Sequence, residues 1–82
     1  ANEFKKHAQQ AANHGDVLAQ YLLAEHLVKE SREQAFIWFY RAAMNGHLMA
    51  RYMLEDLQPA LDDKQRQRIA VKIAALRTNS ER

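Results

Sequence analysis

The sequence predicts an all-α fold of about five helices, and three observations carry that prediction. Of the 82 residues, 48% are hydrophobic while only two are glycine and one is proline, so nearly every position suits a helix and few loops can be built. Both glycines sit in short polar turns, Asn13-His14-Gly15-Asp16 and Asn45-Gly46-His47, where a left-handed residue can end one helix before the next begins. The pattern around them also recurs: Ala11, Ala12, Gly15, Ala19, Tyr21 and Leu23 return 31 residues later as Ala42, Ala43, Gly46, Ala50, Tyr52 and Leu54. A chain of this length makes one domain, residues 1–82, with a thin core, and repetition or a partner is what would stabilise it.

The first helix is predicted over residues 3–13 and stops at Gly15. Asp16 supplies a side-chain oxygen to cap the second helix, 16–29. Ser31 followed three residues later by Gln34 has the spacing of a capping box and opens the third helix, 32–45, which stops at Gly46. His47 stands at the start of the fourth, 47–57. Pro59 then interrupts the chain, since proline has no backbone N–H to donate. Asp62 and Gln65 repeat the capping-box spacing at the head of the fifth helix, 63–78.

The same shift relates the helix faces. It carries Trp38, Phe39, Ala42 and Ala43 back onto His7, Ala8, Ala11 and Ala12 and forward onto Ile69, Ala70, Ile73 and Ala74. The first, third and fifth helices therefore share one i, i+1, i+4, i+5 face, with small residues that let a neighbour approach closely. The second and fourth are expected to pack between them, as helix–turn–helix units do in an α-solenoid, with the fifth helix as a cap. His7 is the polar residue on this face, expected as a partly buried histidine at the rim of the first helix.

The stretches WFYRAAMNGHLMARYML and AQQAANHGDVLAQYLLAEHL resemble Sel-one-like repeats, bacterial and eukaryotic relatives of the tetratricopeptide repeats. Ala35, Trp38, Phe39, Arg41, Ala42, Ala43, Gly46, Ala50 and Leu54 fall on that family's pattern, and Ala11, Ala12, Gly15, Ala19 and Leu23 on an earlier copy. The tail LDDKQRQRIAVKIAALR is similar to the helix that closes such arrays. The resemblance covers nearly the whole chain and implies a short right-handed α/α solenoid that serves as a protein-binding scaffold or adapter. Three features depart from the pattern. The segment between Leu27 and Ala35 is short and lacks glycine, the closing glycine is Ala24 in one copy and Glu55 in the other, and His7 stands in place of tryptophan.

Composition argues against several chemistries. There is no cysteine, hence neither a disulfide framework nor a thiolate metal site, and no apolar run is long enough to span a bilayer. The aliphatic hydroxyls are Ser31, Thr78 and Ser80, of which Ser31 has a cap to make, and the carboxylates of Glu55-Asp56 and Asp62-Asp63 diverge on a helix. His7, His14, His26 and His47 have no metal-ligand spacing, and no glycine-rich phosphate loop is present. The expectation is a protein without catalysis, cofactor or metal. Charge is uneven: residues 64–82 hold Lys64, Arg66, Arg68, Lys72, Arg77 and Arg82 against Glu81, a net of +5, and the rest of the chain carries −3. These cations spread around the polar side of a helix whose other side is Ile69, Ile73 and Leu76, as on a solvated face. Nucleic acid is not the expected partner, and binding of nucleic acid or another anionic surface through this helix is the alternative.

The expected partner is a protein, a peptide or a second copy of the chain. In helix-pair arrays the helices after the glycine turns commonly line the concave side, which nominates Tyr21, Leu22, Glu25 and His26 on the second helix. Arg51, Tyr52, Met53 and Asp56 join them from the fourth, and Gln20 is read as facing outward too. The aromatic run of the third helix is a further candidate. Its Phe36, Ile37, Tyr40 and Met44 lie off the shared face, at positions that are Lys5, Lys6, Gln9 and Asn13 in the first helix. A central helix needs such a face for packing, whereas exposure of Phe36, Ile37 and Tyr40 would make a partner or dimer patch.

Overall fold

The computed structural model describes residues 2–80. Five helices follow one another: α1 (Asn2–Asn13), α2 (Val17–Leu27), α3 (Arg32–Met44), α4 (Leu48–Leu57) and α5 (Asp63–Ser80). The described residues contain no strand. α2 ends at Leu27, short of the expected residue 29, and a turn of 3-10 helix at Gln58–Ala60, unforeseen from the sequence, carries Pro59 at its start.

Both glycine turns are Schellman motifs, and they give the recurring Ala-Ala-x-x-Gly spacing a local cause. The Gly15 N–H donates to the Ala12 carbonyl at 3.0 Å and the Asp16 N–H to the Ala11 carbonyl at 3.1 Å. In the second copy Gly46 donates to Ala43 and His47 to Ala42, each at 3.0 Å. The glycines have φ of 94° and 95°, a conformation that a side chain disfavours. The alanine pair thus supplies the two carbonyls that end each helix.

The helix starts are equally local. Asp16 Oδ1 accepts from the Ala19 N–H at 2.9 Å, and His47 Nδ1 accepts from the Ala50 N–H at 3.2 Å. Asp62 and Gln65 form a complete capping box, each side chain accepting the other's N–H at 2.8 and 2.9 Å. At α3 only half of the box forms. Ser31 Oγ accepts from Gln34 at 3.3 Å, while the Ser31 N–H is already given to the Leu27 carbonyl at 2.8 Å.

α2 packs against α1 on one side and α3 on the other, and α3 also meets α4 and α5. The core joins Ala8 and Ala12 of α1, Leu23, Ala24 and Leu27 of α2, Ala35, Trp38, Phe39 and Ala42 of α3, and Ala50 and Leu57 of α4. Phe39 and Leu23 are wholly enclosed. α5 makes its main contact with α3 and does not sandwich α4 as the sequence suggests. Its buried Ile69 and partly buried Ile73 and Leu76 form the stripe that faces inward, leaving Ala70 and Ala74 exposed. Across the sequence from this stripe, Arg68 grips Glu33 of α3, with Nε donating to the two carboxylate oxygens at 3.0 and 3.1 Å and Nη2 donating to Oε1.

The shared face is therefore complete only in α3. α1 buries Ala8 and Ala12 and leaves His7 exposed, contrary to its expected rim position, because α2 is its main neighbour and the contact stripe runs through the alanines. α5 turns inward the other half of the face, with Ile69 buried and Ile73 partly so.

Candidate functional site

The outer sides of α2 and α4 begin at capped helix starts, so their first turns are fixed relative to the glycine turns. On α2, Tyr21 is half-buried, edge-on to Phe39 at 5.6 Å and stacked on His47 at 4.2 Å. Burial, and then the nearby Glu25 carboxylate, push its phenol above the ordinary tyrosine value. Tyr21 thus ties α2 to the cap of α4. Leu22 and Glu25 are exposed. His26 turns toward α1, with its ring edge-on to Phe4 at 5.5 Å and Nε2 3.4 Å from Glu30, which also accepts from Lys5 Nζ at 3.1 Å.

On α4, Arg51, Tyr52 and Asp56 are exposed, whereas Met53 is partly buried against the core. The structure adds residues that the sequence reading passes over. Leu18 is 59% exposed and Met49, its equivalent 31 residues on, is 53% exposed, with Leu48 exposed beside it. The available signal was an apolar pair in the first turn of both helices, where a neighbour has not yet begun to cover the side chains. Gln20 goes the other way and is buried. Its Nε2 donates to the Ala12 carbonyl at 3.1 Å and its Oε1 accepts from Asn45 Nδ2 at 3.1 Å, which joins the ends of α1 and α3. Burial of a glutamine with both ends satisfied leaves no mark in the hydrophobic pattern.

The aromatic run of α3 divides. Phe36 packs against the core, Met44 is exposed, and Ile37 and Tyr40 are partly buried at clefts that α3 shares with α5 and α4.

Several charges are engaged within the chain. The Arg68 guanidinium holds the Glu33 carboxyl below the usual carboxylate range. Arg66 donates to the Gln58 carbonyl at 2.9 Å and lies 3.5 Å from Asp63. Thr78 donates its hydroxyl to the Ala74 carbonyl at 2.9 Å, and Ser31 is occupied as a cap. Among the described residues, no three His, Asp or Glu side chains gather where they could hold a metal ion, and no helix is long and apolar enough to cross a membrane. Set against protein-family models, curated proteins and solved structures, the chain matches none.

Proposed function

We propose that this chain is a non-catalytic interaction module, a short helical-repeat adapter or scaffold of the Sel-one-like kind, which binds a protein or peptide through the outer surface of α2 and α4. The observation that carries this is an apolar surface beside charge that both helices expose. Leu18 and Met49 stand at matching positions of the two copies, and Leu22 and Tyr52 extend the apolar surface beside the charges of Glu25, Arg51 and Asp56. Exposed methionine, leucine and tyrosine next to charge suit a protein contact. The division of the shared face between α1 and α5 supports a repeat architecture, since an end helix needs only the half that meets the stack. Arg66 and Arg68, occupied by Gln58, Asp63 and Glu33, leave α5 fewer outward cations than its composition suggests, which favours protein over nucleic acid.

The test is affinity capture on the immobilised chain, compared with its Arg51→Ala and Tyr52→Ala variants and read by mass spectrometry. Both side chains are exposed, so circular dichroism should stay unchanged while captured partners fall. Identical capture by wild type and both variants would reject the α2–α4 surface. A gel-shift titration against salt checks the alternative, because phosphate contacts weaken steeply as salt rises.

A further inference from the structure

We propose that the seam between α3 and the C-terminal half of α5 is a second binding site, which takes an acidic peptide segment carrying an aliphatic or aromatic anchor. The proposal rests on the reading of the chain as an interaction module, but it uses a different face.

Burial falls along α5, from enclosed Ile69 to half-buried Ile73 and Leu76. Two clefts open there, of about 380 and about 320 Å³, and both are lined by Arg41 and Leu76. Each is large enough for a side chain or two and too small for a folded element. Ile37, Trp38, Tyr40 and Leu76 provide apolar walls. Among the described residues, every charged one lining them is a cation: Arg41, Lys72 and Arg77. Arg41 lies over the Trp38 ring, 4.5 Å from its centroid, and among the described residues neither Arg41 nor Arg77 has a carboxylate within ion-pair distance. The seam thus combines apolar volume with the charges of Arg41 and Arg77, which no described carboxylate pairs, and with Lys72, whose charge is shared with Glu33 of α3.

Charge complementarity selects an acidic occupant, and the apolar walls select one with a hydrophobic side chain to insert. Lys72 and Arg77 are five residues apart, about 7.5 Å along the helix axis at ~1.5 Å per residue. They also stand about 140° apart around the axis, at ~100° per residue, and so flank the Ile73 and Leu76 stripe, where carboxylates on either side of an inserted anchor can meet one cation each. Single-stranded nucleic acid fits less well. It would need an exposed ring on which to stack, and Trp38 is only 9% exposed with Arg41 across its face.

Trp38 is the sole tryptophan and lies in the wall of one cleft, so its emission reports on occupancy. The probe is a synthetic peptide with paired glutamates on either side of a leucine-phenylalanine core, compared with the same peptide carrying glutamine for glutamate. The acidic peptide should give a saturable change in Trp38 emission, and the glutamine version none at the same concentrations. The double substitution Lys72→Ala with Arg77→Ala should weaken binding roughly ten-fold, as expected for two partly exposed charge contacts, with an unchanged far-ultraviolet spectrum. Equal affinity for the two peptides, unchanged affinity in the double variant, or displacement of the peptide by a lower concentration of oligothymidylate would overturn the proposal. Tyr52→Ala should bind the peptide normally. Failure of peptide binding while Arg51→Ala and Tyr52→Ala still reduce capture removes the seam site and leaves the α2–α4 surface standing.

Discussion

α2 and α4 stand at matching places in the sequence, each following an Ala-Ala-x-x-Gly turn, yet they are buried differently. α2 encloses Gln20, Leu23, Ala24 and Leu27, whereas their counterparts 31 residues on, Arg51, Leu54, Glu55 and Gln58, are exposed or half-buried. The backbones of the preceding turns agree in every bond that closes them. The difference lies in neighbours. α2 has α1 and α3 on its flanks, while α4 has α3 and the 3-10 turn, because α5 turns its isoleucine stripe to α3. The two copies share the means of starting and stopping a helix but not the surroundings that decide what is buried.

The largest expected effect is at the leucine pair. Leu23→Ala removes a fully enclosed side chain and should cost about 3 kcal/mol in urea unfolding, while Leu54→Ala, half-buried, should cost about 1 kcal/mol. Equal losses would break the contrast between the helices. Next comes Gln20→Ala, which empties a buried position and removes its two hydrogen bonds, to the Ala12 carbonyl and from the Asn45 amide, and should cost about 2 kcal/mol, against a change within about 0.5 kcal/mol for exposed Arg51→Ala. Thermal melts of the two variants would show this directly.

The helix starts sharpen the comparison further. Asp16→Ala removes one cap and should destabilise by about 1 kcal/mol, whereas His47→Ala removes a cap and the stack on Tyr21 and should cost about 1.5 kcal/mol. A smaller loss at His47 than at Asp16 would show that the ring contact adds nothing.

The smallest effect concerns the clasp that holds α5 on α3. Because Arg68 lowers the folded-state pKa of Glu33, the pair adds stability that is present above the ordinary carboxylate range, near about 4, and is lost as pH falls through the lower folded-state value. Wild type should therefore exceed Glu33→Gln in denaturation midpoint at neutral pH and converge with it in acid. A gap that persists in acid would assign the effect of Glu33 to something other than its charge on Arg68.

Legibility in the sequence followed the same divide. Asp16, Ser31, His47 and Asp62 act within three residues of themselves, and each glycine motif closes over five, so the spacings alone located the starts of α2 to α5 and the two glycine ends. Of the residues nominated for binding, Leu22, Glu25, Arg51, Tyr52 and Asp56 face solvent, but Tyr21 and Met53 turn toward packing and His26 toward α1. Periodicity could not separate these groups. A side chain's angle on its helix is fixed by sequence, but what stands opposite depends on another element.

The sequence by itself determined five helices, their caps and the repeated turn, since those bonds join residues a few positions apart and form whatever surrounds them. Tertiary structure alone decided that α5 lies on α3, that His7 is exposed and that Gln20 is enclosed. The contacts responsible span 25 residues from Gln20 to Asn45 and 35 from Glu33 to Arg68, and at such distances burial depends on which helix arrives as the neighbour.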